Sequence, residues 1–323
     1  MLRRGSVKLP LAAAFLFALT LTALPVAIFL THTERDSGNG QWQFAWGKQG
    51  TAPGQLQKPR AMAIDSQDHL YIVDMTARIQ VFTTDGRYLH GWQTPESQNG
   101  RPSGLSIDGR GRVLVADTHY FQMLVYTPDG ELIEDAQIGG VCGQGPGEFG
   151  FVTDAVEDTC GNYYVAEYGE YDRIQKFDAN GDYLFQWGGH GSAPGQFIRP
   201  QNIAIDEHDH IWVADACNHR IQVFDTTGES AALLQCWGEE GTEPGQLRYP
   251  YDLVLDGNGH VYVCEFGNHR IQKFSLDGKL VSFWGHEGRE PGQLHNPWAL
   301  VRDSHGRIFI LDTYNHRVQC VTL

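Results

Sequence analysis

The sequence predicts an all-β protein, a six-bladed β-propeller of four-stranded blades closed by its own N-terminal strand. Three observations carry this. Two strand-ending acids recur in step six times, 43 to 50 residues apart, followed in five copies by Arg-Ile-Gln or Arg-Val-Gln. The 38 glycines and 14 prolines are spread along the chain between short apolar runs, as strand punctuation is. The last copy of the repeat ends without an outer strand, and a matching strand stands ahead of the first copy.

The chain opens with a basic stretch, residues 1–8, holding Arg3, Arg4 and Lys8, followed by 22 uncharged residues from Leu9 to Leu30. That length spans a bilayer, and the basic flank keeps the N-terminus in the cytoplasm. Residues 9–30 are therefore expected to be a single-pass transmembrane signal anchor. A cleaved signal is the competing reading, but a cut after Ala27 would place Pro25 where a small residue belongs. Either way the propeller is expected on the extracytoplasmic side of the cell membrane. Arg3-Arg4 gives only a weak hint of twin-arginine export, because Gly5 and Ser6 follow it. Residues 31–40 are polar and read as a tether, leaving 41–323 for the propeller.

The first strand, Gln41 to Trp46, resembles the Trp-Gly outer strands around Trp92, Trp187, Trp237 and Trp284, with Ile138 in the equivalent place in repeat two. Repeat six stops at Leu323 after three strands, so the N-terminal strand completes it, which removes the free edges an open stack would leave. Within each repeat the first strand ends at Asp65, Asp108, Glu157, Asp206, Asp256 or Asp303. The second ends at Asp74, Asp117, Glu167, Asp215, Glu265 or Asp312. Turn sequences such as Asp256-Gly-Asn-Gly259 and Asp277-Gly278 separate the strands. A four-stranded unit repeated radially is a propeller blade.

Composition limits function. With 24 Lys and Arg against 39 Asp and Glu, the net charge of −15 repels phosphate backbones, so nucleic acid is excluded as a partner. The six cysteines form no C-x-x-C pair; their connectivity stays open, free thiols being as compatible with the repeat as bridges. No Ser-His-Asp arrangement or phosphate-binding glycine loop stands out.

The run from Trp237 through Pro244-Gly-Gln-Leu247 and Pro250 to Asn268-His-Arg-Ile-Gln272 resembles an NHL repeat, and the resemblance extends over about residues 41 to 323. It implies the propeller fold and leaves activity open, since one propeller serves many functions. The fold resemblance reaches the lyase that cleaves peptidyl-hydroxyglycine and calcium-dependent lactonases, both with metal in the channel. Some NHL propellers bind RNA through a basic face, which the charge here opposes. The repeated His219, His269 and His316 are read as structural, because a residue at the same place in several blades holds the blade. The triplet arginines are expected to bond loop carbonyls or the strand-end acids.

Function is sought where the repeat rule breaks. Just after the landmark proline stand Arg60, Ser103, Val152, Gln201, Tyr251 and Trp298, then Ala61, Gly104, Thr153, Asn202, Asp252 and Ala299. These are expected around the channel mouth. Arg60, Asn202, Gln201, Tyr251, Asp252 and Trp298 would bind a small polar ligand or a peptide end. On this alignment Asp154 replaces the apolar Met62, Leu105, Ile203, Leu253 and Leu300. With Glu167 and the loop Tyr168 to Asp172, it marks blade three as the most divergent and a candidate recognition patch. The favoured function is a protein, peptide or small-ligand binding module. The alternative is a metal-dependent lyase or hydrolase. No histidine follows the landmark prolines, and His90, His190, His286 and His295 are scattered, so zinc is disfavoured. A calcium ion on Asp154, Glu167, Asn202 or Asp252 fits the preference of hard cations for oxygen.

Overall fold

A computed structural model describes residues 39–323. The expected anchor, residues 9–30, lies outside the described residues. Among the described residues no helix is long and apolar enough to cross a membrane. The chain forms six four-stranded antiparallel sheets. Blade one runs Pro59–Ile64, His69–Asp74, Arg78–Thr83 and Tyr88–Gln93, and blades two to five repeat that order from inner to outer strand. Blade six takes Ala299–Arg302, Ile308–Asp312 and Arg317–Thr322 from the C-terminus, and its outer strand is Gln41–Trp46. Gln41 pairs with Thr322 and Trp46 with Val318, so the ends of the propeller close one sheet.

The core lies between the blades. Six apolar clusters fill the six junctions, each joining one face of a blade to the facing side of the next. A period-two alternation gives each strand two apolar faces where both sides are covered. The outer-strand tryptophans seal the junctions: Trp46 packs on Phe82, Trp92 on Tyr126, Trp187 on Phe224 and Trp237 on Phe274, at ring separations of 5.0 to 5.8 Å. Beneath Trp46 and Trp237 sit Gly86 and Gly278, both at positive φ. A Cβ there would lie 2.5 and 2.7 Å from the indole carbons, so glycine is needed for close approach as well as for the turn.

The strand-end acids and triplet arginines form one node repeated in five blades. In blade five, Arg270 donates to Glu265 Oε1 at 2.6 Å and to the carbonyls of Thr242, Glu243 and Gln246. Arg78, Arg173, Arg220 and Arg317 do the same work for their own loops. Blade two has Gln122 there, 3.3 Å from Asp117. One Asp117 oxygen is left without a partner, and burial pushes its carboxyl up to about 6.

The triplet histidines latch neighbouring blades. His219 Nδ1 accepts from the Tyr249 N–H at 3.1 Å, His269 from Asn296 at 2.9 Å and His316 from Lys58 at 3.0 Å. Each donor residue has positive φ and immediately precedes a proline, so its amide has no strand partner. In blade three Asp172 replaces the histidine and accepts from the Arg199 N–H at 2.9 Å.

An acceptor nitrogen must be unprotonated, and burial lowers the pKa of all three histidines. The unfolded chain therefore binds more protons below the ordinary histidine value of about 6.5, and this contribution is lost as pH falls through that window. Asp154, raised to about 7, acts in the opposite sense, its contribution being lost as pH rises. A difference between two proteins isolates the histidines. Replacing His219, His269 and His316 by Asn, which tolerates positive φ and keeps an acceptor, is expected to reduce the loss of stability between pH 7 and 5 by about 1 kcal/mol per latch. Urea melts at both pH values measure it; identical slopes for variant and parent would refute the latch.

The cysteines are all free. Cys264 and Cys320 are buried, Cys217 is half-buried, and Cys142, Cys160 and Cys236 are exposed.

Candidate functional site

Strand pairing changes the sequence alignment at one place. In blades one, four and five the landmark prolines Pro59, Pro200 and Pro250 face Asp74, Asp215 and Glu265. In blade three the residue facing Glu167 is Val152, and Asp154 faces Ala166 as Asn202 faces Ala214 and Asp252 faces Cys264. Val152 therefore stands in the proline's place, Thr153 joins the ring, and Asp154 lies level with Asn202 and Asp252, not with Met62 or Ile203. Blade three has no proline to mark the position, so the sequence alignment slips by one residue, whereas pairing allows no such slip without turning the strand inside out.

The ring residues are re-aimed by the backbone. In blades one, three, four and five the register shifts at Arg60, Thr153, Gln201 and Tyr251, a β-bulge at the start of each inner strand. With Ser103 and Trp298 these residues line a cavity on the propeller axis, together with Asp154, Asn202 and Asp252. The cavity encloses about 170 Å³, within about 670 Å³ counted out to its open mouth. Seven sequence candidates thus converge: Arg60, Asp154, Gln201, Asn202, Tyr251, Asp252 and Trp298. Glu167 is placed elsewhere. It is fully buried in the node of blade three, accepting from Arg173 at 2.5 Å and from the Gly150 amide.

One half of the channel wall is polar and the other is small and apolar. Asp154 Oδ2 accepts from Asn202 Nδ2 at 2.7 Å and from the Ile203 N–H at 3.2 Å. Asn202 Oδ1 accepts from the Leu253 N–H, and Asp252 accepts from the Leu253 and Leu300 amides, both at 2.8 Å. Each of the three therefore laces its blade to the next. On blades six, one and two the same level holds Ala299, Ala61 and Gly104. Burial raises Asp154 to about 7, and burial together with the nearby Asp154 holds Asp252 well above the carboxylate range.

The rim is aromatic and basic. Tyr251 stacks on Phe266 at 4.5 Å and meets the edge of Trp298 at 5.0 Å. Arg60 lies over Trp298 at 5.4 Å, and Arg199 over Tyr168 at 4.9 Å and Tyr251 at 5.4 Å. Lys58 lies over Tyr314 at 4.9 Å. Sequence reasoning missed Arg199, Phe266 and Tyr314. The first immediately precedes a landmark proline and the other two follow strand-end acids by one and two residues. Their shared signal was position relative to those landmarks.

A calcium ion on this wall would have to displace backbone hydrogen bonds, because Asp252 Oδ2 and Asp154 Oδ2 already accept from the next inner strands and Asp252 Oδ1 from the Leu253 amide of its own strand. Among the described residues no group of three or more His, Cys, Asp or Glu is arranged to hold a metal.

Comparison with known proteins matches the NHL repeat model at residues 197–224, 247–274 and 294–321, the fourth to sixth blades. Human NHL repeat-containing protein 3 is 31% identical over 185 residues, covering 52% of each chain. A probable peptidyl-alpha-hydroxyglycine alpha-amidating lyase of Caenorhabditis elegans is 28% identical over 172 residues, 47% of this chain and 49% of the other. The chain spans about half the length of these curated relatives. Among solved structures, a streptogramin B lyase superposes with a TM-score of 0.60 over 87% of this chain and 97% of its own, at 11% identity, a likeness of fold alone. The chain is thus a six-bladed β-propeller that carries NHL repeats in its fourth, fifth and sixth blades.

Proposed function

We propose that this propeller is a binding module, tethered by residues 9–30 to the outer face of a membrane, and that it takes a peptide or small polar ligand at the channel mouth. One observation carries the reading. At a single structural position six blades present six different side chains, Arg60, Ser103, Thr153, Gln201, Tyr251 and Trp298, although the nodes and latches around them repeat. Repeated positions hold the fold, and divergent ones converging on a cavity recognise something without symmetry. The divergence extends to the wall, polar on blades three to five and apolar on the others.

Screening the detergent-purified full chain against a peptide and metabolite library tests this. Ligands found are expected to lose at least about tenfold in affinity on Trp298→Ala or Gln201→Ala, the loss typical of a central anchor, with a cooperative melt retained. Ligands indifferent to both changes would place binding elsewhere. Protease protection of a C-terminal tag in intact cells would refute display on the outer face.

A second reading, a metal-dependent lyase or hydrolase in the same channel, is favoured by the similarity to the nematode lyase. Elemental analysis of protein purified without chelator separates the two. Stoichiometric calcium or zinc, lost on Asp154→Ala, would favour the enzyme.

A further inference from the structure

The arginines near the mouth differ from those that pair with the strand-end acids. Arg78, Arg112, Arg173, Arg220, Arg270, Arg307 and Arg317 each hold a carboxylate at 2.5 to 2.9 Å. The half-buried Arg60 and Arg199 lie over Trp298 and Tyr251 at the channel mouth, and among the described residues neither they nor the half-buried Arg101 forms a salt bridge. Arg101 donates to the Met75 and Gly100 carbonyls, and Arg199 to Gln201 Oε1 at 2.8 Å. Arg60 has only the face of Trp298. Burial, and then the charges of Arg199 and Arg101, lower the pKa of Arg60. Gathering uncompensated cations in a protein of net charge −15 costs free energy that an incoming anion would offset.

The surroundings narrow the anion. A guanidinium lying on an aromatic face keeps its N–H edge free, and that fork matches a carboxylate in two parallel hydrogen bonds. Trp298 lines the same cavity, and its indole N–H is buried and has no acceptor. Other tryptophan N–H groups without partners, those of Trp92, Trp187 and Trp237, lie in the blade junctions instead. Below the rim stand Asp154 and Asp252, a neighbourhood that tolerates a single negative charge better than a double one. The walls beside the cations are the rings of Tyr251, Phe266 and Trp298.

We propose that the mouth selects a monocarboxylate carried on a planar apolar body, with the charge held by Arg60 and Arg199 and the body against Trp298 and Tyr251. This rests on the binding reading above and names its ligand class. Isothermal titration of the full chain with 3-phenylpropionate, 3-phenylpropionamide and inorganic phosphate tests it, alongside the nitrogen-15 indole resonance of Trp298. The acid is expected to bind at least about tenfold more tightly than the amide and to shift the Trp298 indole. Arg60→Gln and Arg199→Gln are each expected to lose about tenfold in affinity for the acid, as removal of a charge-assisted hydrogen bond does, without moving the melting temperature. Arg60→Lys, keeping charge but not the fork, should lose less.

Equal binding of acid and amide, unaffected by the arginine changes, would overturn the anion assignment and leave binding at the mouth standing. Tighter binding of phosphate than of the acid would overturn the carboxylate class. No shift of Trp298 with any probe at millimolar concentration would overturn both this inference and the reading it rests on.

Discussion

Deleting residues 41–47 is expected to lower the melting temperature by about 10–20 °C, or to prevent folding, although the segment is near the N-terminus and half exposed. The deletion removes the outer strand of blade six, with pairs from Gln41↔Thr322 to Trp46↔Val318. It also removes Phe44 and Trp46 from the junction of blades six and one, and the bond from Trp42 Nε1 to Gln319 at 3.0 Å. Two partly buried aromatic side chains at about 2 kcal/mol each, plus cross-strand pairs of a few tenths each, come to about 5 kcal/mol. In a domain of this size each kcal/mol moves the melting temperature by about 2–4 °C. The strand runs antiparallel to Arg317–Thr322, so the same segment attached after Leu323 through a short glycine-containing turn should restore stability. Differential scanning calorimetry of the three chains decides it. An unchanged transition in the deletion would show that the closure carries no stability.

Replacing Arg270 by Met is expected to cost roughly 3–5 kcal/mol, the usual penalty for stranding one partner of a buried ion pair. The change leaves Glu265, fully buried, without its cation and frees the carbonyls of Thr242, Glu243 and Gln246. Removing both charges, as Glu265→Leu with Arg270→Met, should cost less than the single change. Burial already raises the Glu265 carboxyl against the pull of Arg270. Without the arginine its folded pKa rises further. The folded state then holds a proton that the unfolded state releases, so stability is lost as pH rises, and the deficit should be larger at pH 8 than at pH 5. Urea denaturation at the two pH values checks both size and sign. Blade two shows the same situation in the native chain, where Asp117 faces Gln122 and is raised to about 6.

The sequence by itself determined the six blades, the strand count in each and the closing partnership of Gln41–Trp46 with the C-terminus. These are encoded locally and repeated, so each copy corroborates the others: an acid such as Asp65 or Asp74 ends a strand, Asp277-Gly278 makes a turn, Trp237 seals a junction. The structural role of the histidine triplets was legible for the same reason, since His219, His269 and His316 stand in equivalent places. Their actual task was not, because the amide each accepts belongs to the next blade, 27 or 30 residues onward or across the ring closure.

Only the tertiary structure decided how the site is built. The level shared by Asp154, Asn202 and Asp252 depends on inner-strand register, which the missing proline of blade three hid from alignment. Glu167 reads in sequence both as a repeated strand-end acid and as part of a divergent patch, and its burial against Arg173 decides for the first. The placing of Arg60 over Trp298 and of Arg199 over Tyr251 is set by four blades brought around one axis, and no spacing along the chain records it. Periodicity reports what each blade has in common; a channel is lined by what they do not, and its chemistry exists only once the ring has closed.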